Sequence, residues 1–142
     1  MNIVLKPVLC VVTSNDVKGS TGIPTGFWLS ELTHVLDQLE KMGLQYELAS
    51  VKGGDPPIDK DSLDMSDSVN EHYFNDEKFQ QKLKNTIKID DADASRYSTI
   101  FFAGGHGTMW DFADSEGIQR VTKEIYENGG FVSAVCHGPA AL

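Results

Sequence analysis

Short apolar runs alternate along this chain with amphipathic stretches, a pattern that predicts strands interleaved with helices. Residues 7–13 form a continuous apolar run rich in β-branched side chains, as expected of a strand buried on both faces. A polar loop, 14–26, follows and is broken by Gly19, Gly22 and Pro24. Trp28, Leu32, Val35, Leu36, Leu39 and Met42 then recur at helical spacing, and Gly43 stands where a helix of that phase would end. Residues 46–51 read as a second strand. Residues 52–67 are polar and carry Gly53, Gly54, Pro56 and Pro57. The strand–helix pattern resumes beyond them, so they read as a long excursion within one domain, a feature that in compact domains is often functional.

Asn75 or Asp76 is placed to cap a helix reaching about residue 85, with Phe79 and Leu83 on one face. After an acidic loop at 90–93, residues 98–103 form a third buried strand that runs into Gly104-Gly105-His106-Gly107-Thr108. Ile118, Val121, Ile125 and Tyr126 mark another amphipathic helix, closed by Gly129-Gly130. Residues 131–135 make a fourth buried strand, leading directly into Cys136-His137-Gly138-Pro139 and the start of a further helix.

Strands alternating with helices predict an α/β fold with a mostly parallel, doubly wound sheet, as a single domain over residues 1–142. Ligand sites in such sheets lie beyond the carboxyl ends of the strands. Both glycine-rich turns, 104–107 and 136–138, fall at such ends and should converge on one edge of the sheet. Leu142 comes inside the first turns of the helix expected after Gly138. The expectation is therefore a domain truncated after this turn, its C-terminal portion missing or supplied as another chain.

Charge narrows the partners. With 12 basic and 21 acidic residues the net charge is −9, and no Lys/Arg cluster interrupts the acidic background, which argues against nucleic acid and anionic membranes as partners. No apolar run approaches the ~20 residues that span a bilayer, and the first residues lack the features of a signal peptide. Two cysteines without a secretion signal read as reduced thiols in a cytoplasmic protein. Cys10, inside the first apolar run, reads as a small buried hydrophobe.

Cys136 is different. Ala134-Val135-Cys136-His137-Gly138 has the form of a nucleophile elbow, in which small flanking residues let a strand and a helix close around a strained turn that lifts the nucleophile from the sheet. A helix N-terminus beside the sulfur would favour thiolate. The alternative is a structural cysteine beside a turn glycine. His137 can serve as base only if a bend swings its ring toward the sulfur, because neighbours on a strand face opposite ways. Gly105, His106 and Gly107 can present backbone N–H groups to a substrate, supplying part of an oxyanion hole completed by the His137 N–H. A plain tight turn is the alternative there, and neither phosphate-loop signature is present. Glu31 falls on the border of the buried face of the first helix, where partial desolvation would raise its pKa toward that of a usable acid or base. His72 with Glu71, and His34 with Asp37, lack zinc-site spacing, so no metal is expected. Phe27, Trp28 and Trp110 read as core or pocket wall.

Three segments together carry a resemblance: Thr25-Gly26-Phe27-Trp28-Leu29-Ser30-Glu31-Leu32-Thr33-His34, Gly104-Gly105-His106-Gly107-Thr108-Met109-Trp110-Asp111 and Ala134-Val135-Cys136-His137-Gly138-Pro139. In this order they resemble the ThiJ/PfpI superfamily, and within it the branch of glutathione-independent glyoxalase III enzymes that double as heat-shock holding chaperones. The resemblance runs from about residue 7 to the end. It implies a flavodoxin-like, three-layer α/β/α sandwich of the class I glutamine amidotransferase-like kind, forming a homodimer. It implies Cys136 as nucleophile, His137 as its partner and Glu31 as acid/base, with a third triad acid beyond Leu142. The implied activity converts methylglyoxal or a related 2-oxoaldehyde to the 2-hydroxy acid without cofactor. The alternatives are a holding chaperone for unfolded clients and a cysteine-dependent peptidase or amidase. Val35 departs from the branch, which often has proline there.

Overall fold

Every residue of β1 (Val8–Val12) is buried, which requires cover on both faces of the sheet. In the computed structural model, which describes residues 5–142, β1 lies between β2 (Tyr46–Ser50) and β4 (Thr99–Phe102), parallel to both. With β3 (Ile87–Lys88) and β5 (Phe131–Ala134) they form a parallel five-stranded sheet in the order β3-β2-β1-β4-β5. Setting aside the two-residue β3, the remaining order is that of the flavodoxin-type doubly wound sheet. The chain winds outward from β1 through β2 to β3, then returns to the other side of β1. The switch point therefore lies between β1 and β4, and the crevice beyond their carboxyl ends is the natural ligand position.

Alternation along β1 splits the core in two. Val8, Cys10 and Val12 pack with Leu29, Leu32 and Leu36 of α1 (Leu29–Lys41), Tyr73 of α2 (Ser68–Phe74), and Phe79 and Leu83 of α3 (Glu77–Lys84). Leu9 and Val11 face the other way, toward Phe112 and toward Ile118, Val121 and Ile125 of α5 (Glu116–Glu127). Burying one leucine stabilises by roughly 1.5–3 kcal/mol, so three inward leucines on α1 fix its rotation and with it the direction of Glu31. A short helix, α4 (Thr108–Asp111), follows the glycine turn. Among the described residues no helix is long and apolar enough to cross a membrane.

Several elements differ from the sequence reading. The 52–67 excursion ends in an unanticipated helix, α2, whose cap is Asp67; its carboxylate accepts from the Val69 and Asn70 N–H groups. Asp76, not Asn75, caps α3 by accepting from the Lys78 N–H. β5 is not buried: it pairs only with β4 among the described residues, and Phe131 is 73% exposed. Tyr126 points outward from α5 and does not belong to its buried stripe. After the elbow, Gly138–Ala141 form a 3₁₀ turn.

Candidate active site

Cys136 has φ = 53°, the single positive φ among described residues other than glycine. His137 follows with φ = −88° and ψ = −3°, and the Gly138 N–H donates to the Val135 carbonyl at 2.7 Å. This sign pattern is that of a type II′ turn with cysteine where glycine usually stands. The turn reverses the strand-like alternation and brings the ring of His137 to its neighbour: Nδ1 lies 3.2 Å from the Cys136 sulfur. Cys136 itself is exposed. Holding an L-residue in this region costs about 1–2 kcal/mol. Cys136→Gly should therefore be more stable than Cys136→Ala, by about 1 kcal/mol in denaturant melts, since alanine keeps the strain and glycine releases it.

Glu31 arrives from the first turn of α1. No side chain of the helix's own N-cap residue, Trp28, caps it. The excursion supplies the cap: buried Ser62 accepts from the Leu29 N–H through Oγ at 3.0 Å, and the Phe27 N–H donates to the Pro57 carbonyl. The Trp28 N–H donates to the Gly104 carbonyl at 3.0 Å, tying the entry of α1 to the glycine turn. A long polar segment that read as an excursion is thus the brace that aims Glu31.

Gly104 is where the site closes. A Cβ placed there would stand 2.5 Å from Glu31 Oε2 and 2.9 Å from the Cys136 Cβ. Only glycine lets the carboxylate and the thiol residue approach each other this closely across one backbone position. Gly105 has φ = 120°, and a side chain on it would strike the backbone of Gly26 and Phe27. Gly107 presses on Thr13 and on the Asn15 carbonyl. Beneath it, Asp111 accepts from Thr13 Oγ1 at 2.7 Å and from the Ser14 N–H at 2.8 Å, joining α4 to the end of β1. His106 is exposed, its ring 4.9 Å from that of His137 and tilted by 40°.

The electrostatics couple the two acids. Burial raises the Glu31 carboxyl above its ordinary value, while the Cys136 thiol, the His137 imidazole and the Gly104 N–H pull it back less strongly. Glu31 Oε2 is sealed from solvent and makes no hydrogen bond of good geometry among the described residues, so those pulls act as near neighbours more than as full bonds. Burial also pushes the Cys136 thiol up, and the facing Glu31 carboxylate adds to this; the His137 N–H opposes both. In place of the lowering expected from a helix N-terminus, the thiol is held above its ordinary value, burial and the facing Glu31 carboxylate outweighing the His137 N–H. Cys10, wholly buried in β1, is pushed up to about 12 and is inert.

The remaining candidates are placed elsewhere. His34 pairs with Asp67 at 2.7 Å, not with Asp37, which instead meets Lys41 at 2.8 Å. His72 stacks edge-on against Tyr73 on the outer helical layer. Phe27 is core, and Trp110 is 45% exposed beside Gly19. A broad concavity lined by Tyr46, Lys82 and Arg96 opens at the amino ends of the strands, the wrong end of the sheet for the elbow and the glycine turn. Sequence reasoning missed Ser62 and Thr108, whose partners are backbone atoms of distant segments.

Known proteins share this arrangement of chain. Glyoxalase 3 of Candida albicans is 34% identical over 140 residues, covering 96% of this chain and 59% of that protein. The glutathione-independent glyoxalase HSP31 of Saccharomyces cerevisiae is 34% identical over 140 residues, covering 95% of this chain and 59% of that protein. The X-ray structure of the Francisella tularensis Rapid Encystment Protein 24 KDa superposes with a TM-score of 0.92 at 40% identity, covering 97% of this chain and 61% of that one. The chain therefore spans 59–61% of the length of these relatives. The fold they share with it is the flavodoxin-like α/β sandwich. The signature of the DJ-1/PfpI family extends over residues 22–142, from the loop before α1 through the elbow, and the chain belongs to that family.

Proposed function

We propose that this chain carries the thiol, the proton-transfer carboxyl and the backbone donors of a glutathione-independent glyoxalase acting on methylglyoxal or a related 2-oxoaldehyde. The observation that carries the proposal is the buried, unpartnered Oε2 of Glu31, set against the same glycine as Cys136. An unsatisfied buried carboxylate oxygen is unfavourable unless it takes up a proton or meets a ligand. A reaction that moves protons between adjacent carbons uses it in both ways.

The Cys136 sulfur adds to the aldehyde carbon, forming a C–S bond as the carbonyl π bond opens, and its proton passes by way of His137, 3.2 Å away, to the aldehyde oxygen, leaving Glu31 ionised for the next step. The hemithioacetal oxygen is held by N–H groups of the glycine turn and of His137. Glu31 then takes the proton from the former aldehyde carbon, giving an enediol. A proton returned to the neighbouring carbon yields the thioester of the 2-hydroxy acid. Water cleaves the C–S bond, releasing lactate from methylglyoxal and restoring the thiol. Oxidation at one carbon is matched by reduction at the next, so no external oxidant or cofactor is consumed. Because a reduced thiol is required, the proposed setting is the cytoplasm.

The test is lactate formation from methylglyoxal in deuterated water without glutathione. Deuterium at carbon 2 reports how far the proton held by Glu31 exchanges with solvent before it is returned; absence of lactate would overturn the proposal, and hydrolysis of peptides or amides without lactate would favour the hydrolase alternative. A second reading, a holding chaperone for unfolded clients, is supported by exposed Met109 and Trp110.

A further inference from the structure

We infer that Thr108 is a positioning residue, whose hydroxyl staples the glycine turn to the nucleophile elbow and holds both backbone segments where they cradle a developing oxyanion. The inference rests on the covalent thiol reading of the site.

Thr108 is fully buried, and its Oγ1 lies 2.9 Å from the carbonyl of Gly105 and 2.9 Å from that of His137. The second contact is the one side-chain hydrogen bond between the two segments among the described residues. Neither carbonyl depends on it for a partner. Gly105 O also accepts from the Thr108 N–H at 3.3 Å, and His137 O from the Ala140 N–H at 3.1 Å. One hydroxyl proton shared between two acceptors that already have donors adds little to satisfaction of the fold. What it adds is relative placement.

The geometry explains why placement matters here. In a planar trans peptide the C=O and the following N–H point opposite ways. Turning Gly105 O inward to Thr108 turns the His106 N–H outward, and among the described residues that N–H donates to no backbone or side-chain acceptor. Fixing His137 O inward locks the turn that presents Cys136 and the His137 N–H. At the far end of α4, Asp111 is anchored to Thr13 and Ser14, so the staple pulls against a fixed base.

The experiment compares Thr108→Val, which keeps the shape without the hydroxyl, with Thr108→Ser, which keeps the hydroxyl. Three rates are read: lactate formation, the p-nitrophenol burst from p-nitrophenyl acetate, and alkylation of Cys136 by iodoacetamide across pH. The first two need an oxyanion cradle; alkylation does not. Thr108→Val should lower kcat for lactate and the burst rate by about tenfold to a hundredfold, leaving KM and the alkylation profile as in the parent. Thr108→Ser should restore both rates. Unchanged rates in Thr108→Val, a parallel fall in alkylation, or no rescue by serine would overturn the assignment. So would failure of both Thr108→Val and Thr108→Ala to fold, since the hydroxyl would then be a structural requirement. If the parent forms no lactate but its burst still depends on the hydroxyl, the glyoxalase reading falls and the role of Thr108 stands.

Discussion

Cys136→Ala should abolish the proposed lactate formation, with kcat falling by about 10⁴-fold or more, as expected when a covalent nucleophile is removed. The fold gives no competing reason for the loss. Cys136 is exposed, lies outside both core clusters, and alanine retains the same backbone strain, so circular dichroism and the melting midpoint should match the parent. The other cysteine offers no substitute, being sealed within β1. Substantial turnover by the variant would exclude the covalent route. The same protein separates the two readings of function: capture of unfolded clients requires no sulfur, so suppression of client aggregation should persist in it.

Glu31→Gln should lower kcat by about 10²–10⁴-fold, the usual worth of a positioned acid/base, while iodoacetamide still reaches Cys136. Glutamine has nearly the same size and keeps the contact with Gly104, yet cannot carry a proton from one carbon to the next. A second signature comes from linkage. Burial raises the Glu31 carboxyl in the folded chain, so the folded state keeps a proton that the unfolded state releases. The group's contribution to stability is therefore fully present below its unfolded pKa and is lost as pH rises through its folded pKa. Glutamine does not titrate. The melting temperature of Glu31→Gln relative to the parent should thus climb from about pH 4 toward neutrality. A gap that is flat or shrinks across that window would show that burial does not raise Glu31. The replacement of the thiol's facing carboxylate by a neutral amide should also let the alkylation midpoint of Cys136 move down, since Glu31 is one of the causes holding it up.

How far the sequence foretold this depends on where the information sits. β1 and β4 were legible because two-faced burial writes continuous apolar runs, and α1 because thirteen residues give a helical stripe room to repeat. α2 was not, because seven residues give two turns, and its buried Asn70 breaks the apolar pattern by bonding to the hydroxyl of Thr33. The elbow was visible as a motif, but the electrostatics of Cys136 were not. Whether a thiol meets a helix end or a carboxylate depends on a residue 105 positions earlier, brought over by the β1–β4 switch. Ser62 and Thr108 left no mark for the same reason. Each meets a backbone atom, and backbone partners have no side-chain signature to read.

The sealing of Cys10 in the middle of β1 has a chemical corollary for damage and repair. A peroxide that converts Cys136 to its sulfenic acid leaves a species that a second thiol would ordinarily retire as a disulfide. The chain's only other sulfhydryl sits in the sheet interior, out of reach while the fold persists. These residues therefore hold no resolving partner. Within these residues the sulfenic acid waits for a thiol from elsewhere, and a second equivalent of peroxide carries it on to the sulfinic state.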